Sequence, residues 1–139
     1  MDDAILDANI LLRYLTNEPQ DLAERVVHLL EAADGRRISL MVAPLTLGEV
    51  VFVLESVYKW KRREIADRLL NLIDASVMEF MEQRTIVQAL AWYRDTGGLH
   101  FADVYLASLA ATREDFVISM DRGLRRVPGI KIVDRAEDL

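Results

Sequence analysis

Four carboxylates stand in apolar surroundings along the chain. Asp7 and Asp121 each end a short apolar run, whereas Glu49 and Asp103 lie inside apolar helical segments. Removing a carboxylate from water is costly unless a cation, a hydrogen bond or a proton compensates it. The sequence therefore predicts that these four residues are buried and that one bound metal ion compensates several of them at once.

The donor types indicate which cation the four carboxylates would hold. Hard oxygen ligands with no Cys or His among them favour Mg²⁺ or Mn²⁺. The chain contains no Cys, which excludes thiolate nucleophiles, Cys-ligated zinc and iron–sulfur clusters. His100 lies close to Asp103, but a single His in a loop is more often structural or solvated than a catalytic base.

Polar and basic residues accompany the two carboxylates that end apolar runs. Asn9 follows Asp7 by two residues. Ser119 precedes Asp121 by the same distance, and both could hydrogen-bond a carboxylate or a metal-bound water. Three arginines after Asp121 could hold phosphate groups beside the metal, and these are Arg122, Arg125 and Arg126.

A purely structural role is the alternative for each carboxylate. Asp7 and Asp121 could cap the helical segments that follow them, because Asp is a favoured N-cap residue. Asp103 could complement the helix dipole in a first turn, and Glu49 could pair with a neighbouring arginine. Glu49 is the hardest to explain in this way, since it lies inside an apolar helix.

Alternating strands and helices must bring these residues together. Apolar runs predict five strands, at residues 4–6, 39–42, 76–80, 116–119 and 130–133. Helical spacing predicts helices between them, with two consecutive helices between the second and third strands. Helical crossovers favour an α/β fold with a mainly parallel sheet, in which ligands bind at the carboxyl ends of the strands. We expect all four carboxylates to meet at that edge, in one domain spanning residues 1–139.

The composition limits the class of protein. A net charge of −6 disfavours nucleic-acid binding through bulk charge, since such proteins usually carry an excess of Lys and Arg. With 52% hydrophobic and 29% charged residues, the composition is that of a globular protein and not of a disordered chain. The acidic start and the lack of a long uninterrupted apolar run predict neither export nor membrane insertion, and hence a cytoplasmic protein.

Four short motifs, taken in order and spacing, resemble those of the PIN-domain family. They occupy residues 6–15, 47–51, 101–107 and 118–121, and the likeness extends over essentially the whole chain. Most specifically, the sequence is similar to VapC-type toxin ribonucleases, each a single PIN domain encoded with an antitoxin. The resemblance implies a PIN-like three-layer sandwich with a mainly parallel central sheet flanked by helices.

The same resemblance implies a metal-dependent endoribonuclease that hydrolyses RNA phosphodiester bonds as the toxin of a toxin–antitoxin pair. The family's acidic quartet maps onto Asp7, Glu49, Asp103 and Asp121, as both metal ligands and catalytic residues. One or two Mg²⁺ or Mn²⁺ ions held there would activate a water. The implied partners are an RNA substrate and a small antitoxin protein. A homodimer is also expected, because the apolar third helix and the helix after it could supply its surface.

Two other functions stay open at this point. A receiver-type phosphoacceptor module would also hold Mg²⁺ in an acidic pocket, but two consecutive helices between strands do not suit its regular alternation. A PIN-fold protein could instead act mainly by binding other proteins. The residues Phe52, Tyr58 and Trp60 would supply its apolar surface, although most of them are expected in the core.

Overall fold

A computed structural model describes residues 2–139 of the chain. Its helices are α1 (Ala8–Thr16), α2 (Gln20–Gly35), α3 (Pro44–Ser56), α4 (Arg62–Asp74), α5 (Gln83–Asp95) and α6 (Phe101–Arg113). Its strands are β1 (Asp3–Ile5), β2 (Ser39–Val42), β3 (Glu79–Phe80), β4 (Val117–Ile118) and β5 (Ile132–Val133). A 3₁₀ turn, Arg122–Arg126, follows β4, and a second one, Ala136–Asp138, follows β5.

The strands are parallel, which confirms the predicted α/β class. The first three form one sheet in the order β1-β2-β3, with Ala4 beside Leu40 and Met41 beside Glu79. Strands β4 and β5 pair with each other in a second sheet. The sheet is therefore divided among the described residues, and the segment that leads to Asp121 does not belong to the sheet of β1.

The helices supply most of the hydrophobic core. Helix α3 buries Leu47, Val50, Val51 and Leu54, because its apolar residues recur at helical spacing. Helices α5 and α6 pack against each other, and the rings of Tyr93 and Phe101 meet edge to face with centroids 5.8 Å apart. This packing holds α3 and α6 in fixed places, and these two helices carry the predicted residues Glu49 and Asp103.

Five of the helices are followed by a residue in the left-handed conformation that is not glycine. These residues, at φ between 56° and 62°, are Asn17, Arg37, Lys59, Ser76 and Glu114. The left-handed turn at Ser76 also shortens the third strand, which was predicted over 76–80 and covers only Glu79–Phe80. Helices α3 and α4 do follow each other between β2 and β3, as predicted.

No helix within residues 2–139 is long and apolar enough to cross a membrane.

Candidate functional site

A groove of about 1160 Å³ lies along α3 and the first turns of α6. Its lining residues are Pro44, Leu45, Gly48, Glu49, Val51, Phe52, Glu55, Glu82, His100, Phe101, Ala102, Asp103, Tyr105 and Leu106. Two of the four predicted carboxylates, Glu49 and Asp103, are among them. The groove therefore brings together the two predicted residues that are carried on helices.

The prediction that the carboxylates are buried is wrong for three of them. Asp7, Glu49 and Asp121 are exposed, and Asp103 is half-buried. Glu49 lies within apolar sequence, yet its position on α3 faces the groove and not the core, so water solvates it. Asp103 lies in the first turn of α6, where a negative charge complements the helix dipole.

Two further carboxylates line the groove, and each accepts a hydrogen bond from a tyrosine. The hydroxyl of Tyr93, a side chain with no exposed surface, donates to Glu55 Oε1. The Tyr105 hydroxyl donates to Glu82 Oε2 at 2.8 Å. Burial, and then the bond to the carboxylate, raises the pKa of Tyr105 to about 12. The same causes raise the pKa of Tyr93 above the ordinary tyrosine range, so both hydroxyls keep the proton that they donate to the carboxylates well into the alkaline range.

Glu55 and Glu82 were not predicted as site residues, although the sequence contains a signal for each. Glu55 stands six residues after Glu49 in the same apolar helix. Glu82 follows the end of β3 by two residues, as Asp7 follows the end of β1.

The other two predicted carboxylates are not among the groove's lining residues. Asp121 Oδ1 accepts a hydrogen bond from the Gly123 N–H at 2.8 Å, and Ser119 Oγ accepts one from the Asp121 N–H at 3.0 Å. Asp121 thus caps the 3₁₀ turn, which was the structural alternative for this residue. Asp7 occupies the position before α1, and its side chain makes no capping hydrogen bond within the described residues. Asn9 is exposed in the first turn of α1.

A metal ion needs suitable donor atoms and several of them close together, and the carboxylates meet only the first of these needs. The donors are oxygens, as Mg²⁺ and Mn²⁺ prefer. Among residues 2–139, however, no three Asp, Glu or His side chains lie close enough together to hold an ion. The expected meeting of all four carboxylates at one sheet edge is therefore not found. The premise of a single sheet is also wrong, because β4 leads to Asp121 and belongs to a separate sheet from β1.

The three arginines predicted to contact phosphate have different surroundings. Arg126 Nη1 donates to the Gly97 carbonyl at 2.6 Å. Arg125 pairs with Asp134 at 3.3 Å. Arg122 is exposed and makes no ion pair within the part of the chain that the structure describes. Arg122 is therefore the freest of the three to meet a phosphate.

Charge in the groove is one-sided. Four of its fourteen lining residues are acidic, and none is Lys or Arg. Its wall is apolar at the same time, because Leu45, Phe52 and Leu106 expose 87%, 65% and 49% of their surfaces. Such a groove repels a bare phosphate, and it favours cations or a partner that carries both basic and apolar side chains.

Comparison with known proteins gives one family. The sequence pattern of the PIN domain matches residues 4–130, a range that contains all four predicted site carboxylates. A comparison with curated proteins gives no significant match. A chain of the crystal structure of VapBC2 from Rickettsia felis bound to a DNA fragment from their promoter is similar at 16% identity. The alignment covers 95% of this chain and 97% of that chain, with a TM-score of 0.39. That score is too low to establish a common fold, so the family of this chain is assigned from the sequence match alone.

Proposed function

Because this chain belongs to the PIN domain family, whose members are generally nucleases, we propose that it is a Mg²⁺- or Mn²⁺-dependent endoribonuclease. Its substrate in this proposal is RNA, and its role is that of a VapC-type toxin paired with a small antitoxin in the cytoplasm. The family match covers most of residues 1–139, which we treat as one domain.

One structural observation supports the proposal independently of the family match. Glu49 and Asp103 come from separate motifs far apart in sequence, yet both line the same groove. Because no basic residue lines this groove, an RNA phosphate that enters it must be accompanied by a cation. The charge of the groove therefore supports metal dependence, since a divalent ion could accompany the phosphate there.

The proposed ligands for one or two ions are the four carboxylates of the motifs. Two of them, Glu49 and Asp103, already share the groove. A site of three or four carboxylates therefore requires Asp7 or Asp121 to approach it. When bound, such an ion would supply an activated water for hydrolysis. Asn9 and Ser119 remain proposed supporting residues, and Ser119 already orients the Asp121 backbone.

The experiment is a cleavage assay on total RNA with mapped ends, with and without Mg²⁺ or Mn²⁺. We expect wild-type protein to cleave only with the metal. We expect Asp103→Asn to lower kcat/KM roughly a hundredfold, because an amide is a poor ligand for a hard cation while its volume is unchanged. Glu49→Gln and Asp7→Asn are expected to act in the same direction.

The matched control is Asp74→Asn, which removes an exposed carboxylate at the end of α4, outside the groove lining. It should cleave as the wild type does, which shows that loss of a carboxylate outside the groove has no effect. Loss of cleavage in Asp103→Asn, purified in parallel, excludes a contaminating ribonuclease. Equal cleavage by wild type and Asp103→Asn, or full activity in excess chelator, would contradict the proposed function.

A protein-binding role is favoured by the apolar wall of the groove. Phe52 was one of three residues expected to form such a surface, and it is exposed, whereas Tyr58 and Trp60 are half-buried against the core. We propose that the antitoxin places a segment with apolar and basic side chains in this groove. The homodimer also remains a proposal, to be measured by light scattering.

Binding of the antitoxin can be tested with the protein encoded beside this gene. We expect Phe52→Glu to abolish co-purification, because it adds a fifth negative charge and removes an apolar contact. The matched control is Leu29→Glu, which alters an exposed leucine on α2, outside the groove lining. Retention of the antitoxin by Phe52→Glu would exclude the groove as its binding site.

A further inference from the structure

The loop 96–100 connects α5 to α6 and leads directly into the turn that carries Asp103. One side of this loop is held by Arg62 at the start of α4. Arg62 Nη1 donates to the Tyr93 carbonyl at 2.9 Å, and Nη2 donates to the Leu99 carbonyl at 2.6 Å. The guanidinium also lies over the Tyr93 ring, 4.1 Å from its centroid. This arginine therefore attaches the loop to the helical core.

The other side of the loop is held by Arg126 in the 3₁₀ turn. Arg126 Nη1 donates to the Gly97 carbonyl at 2.6 Å. The approach is close, because a Cβ added at Gly98 would lie 2.9 Å from that same nitrogen. Gly98 also has φ +86°, which other residues rarely adopt. The loop and the 3₁₀ turn are therefore in direct contact through a charge-assisted hydrogen bond.

A second contact joins the same two segments. A Cβ at Gly123 would lie 2.8 Å from Leu99 Cδ2 and 3.1 Å from Asp121 Oδ1. Leu99 is itself buried, so it has little room to move away. The capped turn of Asp121 thus packs on the loop that precedes Asp103. The helix that carries Asp103 and the 3₁₀ turn that Asp121 caps are connected by this one junction.

We propose that Arg126 is a positioning residue, which holds the loop 96–100 against the 3₁₀ turn and so sets Asp103 relative to Asp121. The effect of Arg126 on catalysis rests on the proposed function, whereas the contact between the loop and the 3₁₀ turn does not depend on that function. The competing role for Arg126 is direct contact with an RNA phosphate, which its remaining N–H donors would permit. The two roles differ in what the loss of Arg126 changes.

The primary measurement is amide hydrogen exchange on the full chain without RNA or added metal. The reporter amides are those of Asp103 and Val104, which bond to the His100 carbonyl at 3.1 Å and 3.2 Å. We expect Arg126→Ala to increase their exchange about tenfold, because the loop loses a charge-assisted bond. We expect Arg113→Ala, which alters an exposed ion pair at the far end of α6, to leave them unchanged.

Kinetics give the second measurement. A positioning role predicts that Arg126→Ala lowers kcat about tenfold and leaves the KM for RNA within twofold. It also predicts that Arg126→Lys recovers part of both effects, since an ammonium can still donate to the Gly97 carbonyl. If Arg126→Ala is too unstable to study, Arg126→Met replaces it. That variant keeps the aliphatic part of the side chain but removes every N–H donor, and it should raise the exchange of the same amides.

Two results would overturn the inference. One is unchanged exchange at Asp103 and Val104 in Arg126→Ala and in Arg126→Met. The other is a raised KM with an unchanged kcat, which is the result expected of a phosphate contact. If the protein cleaves no RNA at all, the proposed function fails, and the exchange measurement alone then decides whether the junction exists.

Discussion

The groove and the C-terminal segment 117–133 present their carboxylates in opposite ways. In the groove, Asp103 stands on a helix whose other face is packed in the core, with Val104 fully buried beside it. In the C-terminal segment, Asp121 lies after the two-residue strand β4 and directly before the 3₁₀ turn. Its carboxylate accepts a hydrogen bond from the Gly123 N–H and so stabilises the turn. The first carboxylate is placed by packing, and the second helps to place its surroundings.

Apolar side chains of the two regions also differ in how much of their surface is exposed. Leu54 on α3 has no exposed surface, whereas Ile118 on β4 exposes 71% and Met120 exposes 87%. Burial of apolar surface is the main source of stability in a small domain, and an exposed side chain contributes little to it. The helical half is therefore expected to contribute most of the free energy of unfolding. The C-terminal segment adds Leu124, Val127 and Ile132 to the core, but the stretch from β4 to Asp121 contributes little.

The largest effect should come from truncation in the helical core. We expect Leu54→Ala to lower the free energy of unfolding by about 2–5 kcal/mol, through lost burial and the cavity that remains. The matched variant Ile118→Ala should change it by no more than about 0.5 kcal/mol, because that side chain is exposed. Both are measured by urea unfolding followed by circular dichroism. Similar losses for the two variants would remove the contrast between the regions.

The second effect concerns the cap at the 3₁₀ turn. We expect Asp121→Ala to lower the free energy of unfolding by about 1 kcal/mol, because the Gly123 N–H loses its acceptor. Asp121→Asn keeps a side-chain acceptor, so its stability should be close to that of the wild type. The proposed function predicts that both variants lose cleavage. An active, stable Asp121→Asn would show that this residue is only a cap.

The smallest effect concerns the groove tyrosine, and it appears at alkaline pH. The folded protein holds the Tyr105 proton up to a pKa of about 12, whereas the unfolded chain releases it at 10.0. The unfolded state therefore binds fewer protons between these values, and stability falls as pH rises from 10 to 12. Tyr105→Phe should cost about 0.5 kcal/mol at neutral pH and make this decline shallower. Parallel declines in the two proteins would contradict this assignment.

Much of the architecture could be predicted because helical spacing of apolar residues is a strong local signal. The second strand was predicted over 39–42 and covers Ser39–Val42, and the two consecutive helices between the second and third strands were also correct. Leu29 shares helical spacing with the buried Val26 and Ala33 of α2, yet it exposes more than half of its surface. The face is instead completed by the small residue Ala23, which a search for large apolar side chains does not weigh.

The site was harder to predict because burial of a charge depends on tertiary structure. Glu49 lies among apolar residues in sequence, but a groove on that side of α3 keeps it in water. The tyrosine partners of Glu55 and Glu82 come from other helices, at sequence separations that no local pattern reports. The division into two sheets could not be predicted either, since an apolar run indicates that a strand forms but not which strand it pairs with.

The left-handed residues that follow five of the helices have a consequence for engineering this protein. An L-residue in that conformation costs roughly 1 kcal/mol relative to a glycine that adopts it freely, and glycine is the usual residue at such helix ends. Asn is the type that tolerates the conformation best, so Asn17 offers the least gain. The positions of Arg37, Lys59, Ser76 and Glu114 lie outside the groove lining. Substituting glycine at these four positions is therefore expected to raise the melting temperature without altering any groove residue.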